Sequence, residues 1–144
     1  MKRHNSLTIT GLVLVAAAAL AGCGDDETLT RDQFTEQANA ICVDADAKIG
    51  EVLGPIFSGE PTPDELQEAL DAIISTSRET RSSLANLAPP SDISNDVDEM
   101  LTAFNTANNE AEAQGLGFFE DDGDPWEPVG VIAGRLGLDR CANS

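Results

Sequence analysis

The spacing of the apolar residues restricts the fold most strongly, because they recur every three or four positions in segments bounded by proline or glycine. This spacing places apolar side chains on one face of an α-helix and is not that of a strand, whose period is two. The clearest segment starts at Thr62-Pro63-Asp64-Glu65, with Thr62 as N-cap and Pro63 in the first helical position. Its inner face continues to Pro89-Pro90: Leu66, Leu70, Ile73, Ser77, Thr80, Leu84 and Leu87.

Three further helices follow from the same pattern. The first starts at Thr30, whose spacing to Gln33 is that of a capping box, and we expect Gly54-Pro55 to end or break it. A third helix is predicted from about Asp92 to Gln114, and a short fourth one from Pro128 to Leu136. The apolar faces of the three are Phe34, Ala38, Ile41, Ala45, Ile49 and Val52; Ile93, Val97, Met100, Leu101, Phe104, Ala107 and Ala111; and Val129, Ile132, Ala133 and Leu136. We therefore predict an all-α domain over residues 30–144, a small bundle of three to four helices.

The first residues have the layout of a signal peptide. Lys2 and Arg3 precede a charge-free run of fifteen residues from Leu7 to Ala21. The run ends in Leu20-Ala21-Gly22-Cys23, which resembles the lipobox of bacterial lipoproteins. The alternative is ordinary secretory cleavage after Ala21, because Ala19-Leu20-Ala21 also has small residues at the required positions.

The lipobox resemblance implies that Cys23 carries a diacylglyceryl group, that a peptidase cuts before it, and that the new amino terminus can be acylated with a fatty acid such as palmitate. Residues 1–22 are then the signal peptide and residues 23–29 an acidic, flexible tether. The resemblance places the protein on the extracytoplasmic face of the cell membrane. No later stretch of the sequence has enough consecutive apolar residues to cross a bilayer. We therefore expect this lipid to be the membrane attachment.

The charge of the chain restricts its partners. The full chain carries 26 acidic and 8 basic residues, a net charge of −18. Cleavage before Cys23 removes Lys2 and Arg3, which brings the net charge to −20. A phosphate backbone requires a cationic surface, so a nucleic-acid partner is excluded. An anionic leaflet also repels such a protein, which leaves attachment to the lipid on Cys23.

The three cysteines are Cys23, Cys42 and Cys141. If Cys23 is lipidated, an even pair remains, and an exported protein meets an oxidising compartment. We expect a Cys42–Cys141 disulfide that ties the carboxyl end of the chain to the first helix. The alternative is two buried free thiols.

Short motifs near both ends of the predicted domain resemble a group of short actinobacterial lipoproteins. These motifs are Phe34, Asn39-Ala40-Ile41-Cys42 and Leu136-Gly137-Leu138-Asp139-Arg140-Cys141, and they occur together with the lipobox. The resemblance implies an exported helical domain and supports the disulfide. It supplies no catalytic residue.

An acidic loop is the candidate metal site. Within Glu120-Asp121-Asp122-Gly123-Asp124, the carboxylates of Asp121, Asp122 and Asp124 are candidate calcium ligands. The ligand order of an EF-hand is absent, however, because Gly123 directly follows Asp122. The alternative is a solvated loop that caps the last helix, and apart from the covalent lipid we expect no cofactor.

Phe118, Phe119 and Trp126 are the main aromatic concentration of the chain. Aromatic side chains beside glycines can form a surface for a partner. The alternative is that they close one end of the bundle.

The residues available for chemistry favour binding over catalysis. His4 is the only histidine and lies in the predicted signal peptide, and the chain has no tyrosine. We therefore expect a binding or interaction module of the cell envelope, for a partner protein or a small ligand between helices. The alternative hypothesis is a hydrolase of envelope glycans, which needs only two carboxylates.

Overall fold

Every regular element in the described part of the chain is a helix. The computed structural model describes residues 28–120 and 123–143. The helices are α1 (Arg31–Ser58), α2 (Pro63–Ala85), α3 (Ser94–Gln114) and α4 (Glu127–Leu136), and a 3-10 helix (Gly115–Phe119) separates the last two. This confirms the predicted all-α bundle. The predicted signal peptide, Cys23, Asp121 and Asp122 lie outside the described residues.

The starts of α1 and α2 are capped as predicted. The Thr30 hydroxyl accepts the backbone N–H of Gln33 at 3.3 Å, and the Gln33 side chain accepts the N–H of Thr30 at 3.0 Å. Thr62 and Glu65 make the same two bonds at the start of α2, at 3.3 and 2.7 Å. Each box satisfies N–H groups that have no partner inside the helix, so local sequence alone determines where these helices begin.

The predicted end of α1 at Gly54-Pro55 is wrong. The helix continues through Pro55 to Ser58. A proline removes the N–H that would bond to the carbonyl four residues earlier, but Pro55 is exposed and lies in the last turns of the helix. Val52 and Ile56 are half-buried on this part of α1, which packs along α2. Tertiary contact therefore extends the helix past a local stop signal.

The chain between α3 and α4 contains an element that we did not predict. Gly115 ends α3 with φ 55°, a backbone conformation that favours glycine. The chain then continues as the 3-10 helix, which packs against α2 and α3. This short helix carries Phe118 and Phe119 and places them beside the bundle.

The main core contains buried residues from all four helices and from the carboxyl-terminal segment. The Cys42–Cys141 disulfide lies in this core and joins residues 99 positions apart, which confirms the predicted pair. The core residues are Phe34, Ala38, Cys42, Leu84, Ile93, Val97, Met100, Phe104, Val129, Ile132, Ala133, Leu136, Leu138 and Cys141. Leu29, which the sequence placed in the tether, packs against this core and donates its N–H to the carbonyl of Ala88 at 2.8 Å.

A smaller apolar cluster joins α2, α3 and the 3-10 helix. Leu70, Ile74 and Ala111 form it, and Phe118, Phe119 and Trp126 pack against it. In the described part of the chain, none of the helices combines the length and the apolar character needed to span a bilayer.

Candidate functional site

An apolar cavity opens between the second half of α1, α2, the 3-10 helix and the start of α4. Its volume is about 370 Å³, which lies within the range of small-molecule sites in proteins. Most of the residues that line it are apolar or aromatic. They are Cys42, Ala45, Asp46, Ile49, Leu53, Phe57, Ile73, Ser77, Thr80, Phe104, Phe118, Phe119, Asp124, Trp126, Val129 and Cys141. We refer to this space as the apolar cavity.

The unequal lengths of the helices explain why the cavity exists. α1 has 28 residues and α4 has 10, which correspond to about 42 and 15 Å of helix. The carboxyl-terminal segment reaches α1 at Cys42 through the disulfide, and its Arg140 N–H donates to the Asn39 side chain at 3.0 Å. Beyond Cys42, the inner face of α1 therefore borders the cavity.

The α1 wall consists of Ile49, Leu53 and Phe57, which lie four residues apart and so form one stripe. Ile49 and Leu53 are half-buried, whereas Phe57 is 79% exposed. Phe57 is the most accessible large apolar side chain in the described part of the chain. The stripe is thus an apolar face that the rest of the described chain covers only in part.

The opposite wall is aromatic. The ring centroids of Phe118 and Phe119 are 5.1 Å apart, and those of Phe118 and Trp126 are 5.9 Å apart. Phe118 is nearly perpendicular to both neighbours, with interplanar angles of 80° and 86°. The indole N–H of Trp126 donates to the Ser77 hydroxyl at 2.8 Å, which fixes the aromatic wall against α2.

Few polar side chains line the cavity, and the hydroxyl groups of two of them already form hydrogen bonds within the protein. Ser77 accepts the Trp126 indole N–H, and the Thr80 hydroxyl donates to the carbonyl of Thr76 at 2.8 Å. In the described part of the wall, the charged side chains are Asp46 and Asp124. Burial raises the pKa of Asp46 above its ordinary value, and the nearby Arg140 guanidinium partly offsets this rise.

The structure brings together three of the sequence-predicted site residues. Phe118, Phe119 and Trp126 are half-buried, and they both pack against the small cluster and line the cavity. Packing and a partner surface are alternatives from the sequence alone, but the same three side chains both pack against the bundle and line the cavity.

The acidic loop has a capping contact at its end. An Asp124 carboxylate oxygen accepts the backbone N–H of Trp126 at 2.9 Å, and the Asp124 carbonyl accepts the N–H of Glu127 at 3.1 Å. These bonds organise the start of α4. Among residues 28–120 and 123–143, no group of three or more histidine, cysteine or acidic side chains is arranged to hold a metal ion. Calcium binding by Asp121, Asp122 and Asp124 stays a prediction.

Asp46 and the Leu53–Phe57 part of the wall are not among the sequence-predicted site residues. The signal was present, because Ile49, Leu53 and Phe57 continue the four-residue spacing of α1. The expected stop at Gly54-Pro55 concealed it. No local pattern could place Asp46 and Asp124 on the wall of one cavity, because this depends on the packing of α1 against the rest of the bundle.

A second cleft of about 390 Å³ lies under the α1–α2 connection. It is lined by Glu60, Glu65 and Glu68 together with apolar residues such as Ile56. The Thr62 N–H and hydroxyl, which both bond to Glu65, hold the pKa of that carboxyl below its ordinary value. Its mixed wall offers less apolar surface to a ligand than the apolar cavity does, so the apolar cavity is the stronger candidate site.

Compared with known proteins, the chain matches no family model, and neither a curated protein nor a solved structure shows significant similarity to it.

Proposed function

We propose that the chain is an exported lipoprotein, anchored through Cys23, whose helical domain binds a small apolar molecule in the apolar cavity. The cavity itself is the observation that carries the binding proposal. A space of about 370 Å³ with mainly apolar walls has the volume and chemistry of a ligand pocket. A ligand that buries hydrocarbon there gains roughly 0.8 kcal/mol for each methylene removed from water.

The construction of the walls supports binding to a preformed site. α1 and α2 are joined across their exposed edge by a 2.8 Å ion pair between Lys48 and Glu79. The Trp126–Ser77 hydrogen bond holds the aromatic wall, and the Cys42–Cys141 disulfide lies at one end of the cavity. A preformed site loses little conformational entropy when a ligand enters.

The position of the cavity along α1 separates it from the proposed lipid attachment. The helix starts eight residues after Cys23, and the cavity lies along its second half. Helical rise places Asp46 about 23 Å and Phe57 about 39 Å along the axis from Arg31. With the lipid at Cys23, the cavity occupies the part of α1 distant from the anchor.

Hydrolysis of envelope glycans is the alternative, and one observation favours it: Asp46 and Asp124 line the same cavity. We prefer binding because the remaining wall is mainly apolar, whereas a sugar presents many hydroxyl groups that require hydrogen-bond partners. One carboxylate oxygen of Asp124 also accepts the backbone N–H of Trp126, so this carboxylate already has a structural role at the start of α4.

The binding proposal can be tested with a neutral fluorophore, N-phenyl-1-naphthylamine, added to the full acylated chain in digalactosyldiacylglycerol vesicles. The protein contains one tryptophan, Trp126, which lines the cavity, so energy transfer from it reports probe bound nearby. We expect a saturable rise in probe emission on tryptophan excitation. A purely linear signal, equal to partition into the vesicles, overturns the proposal.

Matched variants on α1 locate the binding. Ala45→Leu adds a large side chain to the cavity wall, and Ala47→Leu adds the same side chain at an exposed position of the same helix. We expect Ala45→Leu to weaken probe binding by about tenfold, because it occupies ligand volume, and Ala47→Leu to leave it unchanged. Circular dichroism checks that both variants fold. Equal effects of the two substitutions contradict binding in this cavity.

Lipid anchoring is tested separately by membrane fractionation and intact-mass measurement, with Cys23→Ala as the comparison. We expect the wild-type protein to sediment with membranes and to carry the mass of the acyl groups. A wild-type mass without them, or an identical distribution of both proteins, contradicts the anchor and leaves the binding proposal to its own test.

A further inference from the structure

We propose that the ligand of the apolar cavity is a cationic amphiphile, an apolar molecule that carries an ammonium group. This inference rests on the proposed binding function and specifies the chemical class of the ligand. Three properties of the cavity wall support it: the sign of its charged groups, the arrangement of its aromatic rings, and the apolar surface beyond them.

The charged groups of the described wall are both carboxylates. Asp46 is half-buried and Asp124 is exposed, so they belong to the solvent side of the cavity, where a polar head would lie. Arg140 compensates part of the Asp46 charge from outside the wall. An anionic ligand would meet these carboxylates without a basic group in the described wall, which disfavours fatty acids and phosphates.

The basic residues of the described helices are largely committed elsewhere. Four exposed ion pairs join neighbouring elements, each with its shortest nitrogen–oxygen distance between 2.8 and 3.3 Å. They are Arg31–Asp92, Lys48–Glu79, Arg78–Glu112 and Arg135–Glu99. These cations stabilise contacts between helices and contribute no positive charge to the cavity wall. The charged groups of the described wall are thus acidic, as is the chain overall, and Arg140 is the basic group that acts on Asp46.

The aromatic wall adds attraction for a cation. Phe118 stands nearly perpendicular to Phe119 and to Trp126, and all three side chains line the cavity. Ring faces carry negative potential and attract ammonium groups, and proteins use aromatic side chains to bind quaternary ammonium ligands. Carboxylates and aromatic faces on the same cavity are complementary to an organic cation rather than to a hydrated metal ion.

The rest of the cavity accepts the apolar body of the ligand. Ile49, Leu53 and Phe57 extend along α1 beyond Asp46, and Phe57 is about 16 Å from Asp46 along the helix axis. A ligand with its ammonium group near Asp46 can lay hydrocarbon along this stripe. The partial exposure of Leu53 and Phe57 in the free protein is then explained as surface that the ligand covers.

The test compares three competitors with one naphthyl body: naphthylmethylammonium, naphthylmethanol and naphthoate. Each is used to displace N-phenyl-1-naphthylamine from the full acylated chain in digalactosyldiacylglycerol vesicles, a lipid without an ammonium group. We expect the cation to displace the probe at about tenfold lower concentration than the alcohol, and naphthoate to be the weakest.

Matched charge variants separate local recognition from the overall acidity of the protein. Asp46→Asn removes a carboxylate from the wall, and Asp44→Asn removes one from an exposed position on the same helix. We expect Asp46→Asn to reduce the preference for the cation over the alcohol about fivefold and Asp44→Asn to leave it unchanged. Phe119→Leu, which keeps an apolar side chain but removes a ring face, should reduce the same preference about threefold.

The outcomes distinguish the two proposals. If the fluorophore shows no saturable binding, the binding function is wrong. If it binds and the three competitors displace it equally, the function stands and the cationic class is wrong. Equal losses of preference in Asp44→Asn and Asp46→Asn also overturn the class, because they would show that only the long-range charge of the protein attracts the cationic competitor.

Discussion

Buried polar side chains are the residues at which this fold departs most from a simple apolar bundle. Ser77, Thr80 and Asn108 are each buried. Ser77 holds the Trp126 indole and Thr80 bonds to its own helix, but both amide atoms of Asn108 lack a hydrogen-bond partner in the described structure. Such a group costs about 1 to 3 kcal/mol relative to its hydrated state in the unfolded chain.

We therefore expect Asn108→Leu to raise the free energy of unfolding by about 1 to 2 kcal/mol, because leucine has a similar size and requires no hydrogen bond. Denaturant titration measures the change. Asn109→Leu is the matched control at an exposed position, where we expect less than about 0.5 kcal/mol. A loss of stability in Asn108→Leu shows that this amide has a favourable role.

Asp46 gives a prediction that depends on pH. Burial raises its pKa above the ordinary value of 3.8, and Arg140 opposes this rise. The folded state therefore holds the proton more strongly than the unfolded state, and ionisation of Asp46 lowers stability as pH rises through these values. We expect Asp46→Asn to be more stable than wild type at pH 7 and the difference to vanish below the ordinary pKa. Thermal melts at both pH values test this, and a difference that grows toward acid pH contradicts it.

The helices show which boundaries local sequence determines. The two capping boxes, at Thr30–Gln33 and Thr62–Glu65, were recognisable because every atom involved lies within four residues. The end of α1 was not, because the packing of Val52 and Ile56 outweighs the local effect of Pro55. The 3-10 helix was also missed, since its five residues lack any extended periodicity.

Pro55 offers a direct test of that competition. Pro55→Ala restores an N–H that can bond to the carbonyl of Glu51 and removes the steric clash of the ring. We expect the free energy of unfolding to rise by about 1 to 3 kcal/mol, less than the full interior cost because Pro55 lies near the helix end. If stability falls instead, the proline contributes more by restricting the unfolded chain than it loses in the helix.

The disulfide and the apolar cavity differ in how well the sequence predicts them. The Cys42–Cys141 pair was predictable from the number of cysteines and from the expectation that the chain is exported. The cavity was not, because its walls come from α1, α2, α3, the 3-10 helix and α4, and only their packing together encloses the space. The sequence groups Phe118, Phe119 and Trp126, but that they line one cavity with Asp46 is a product of tertiary packing.

The disulfide should contribute strongly to global stability. It closes a loop across 99 positions of sequence, for which chain entropy predicts about 4 to 5 kcal/mol. We expect Cys42→Ser combined with Cys141→Ser to lower the unfolding free energy by about that amount and to weaken probe binding, because both cysteines line the cavity. Wild-type protein carried through the same denaturant series is the reference. A loss below about 1 kcal/mol contradicts this role.

Photo-crosslinking locates the ligand within the protein, because it labels the residues beside which the ligand lies. Naphthylmethylammonium carrying a diazirine is irradiated with the full chain in digalactosyldiacylglycerol vesicles, and the labelled peptides are mapped by mass spectrometry. We predict labels on Asp46–Phe57 of α1 and on the aromatic wall at Phe118, Phe119 and Trp126, all suppressed by excess unlabelled cation. Labels confined to the cleft around Glu60 and Glu68, or labels that excess cation does not suppress, would contradict binding in the apolar cavity.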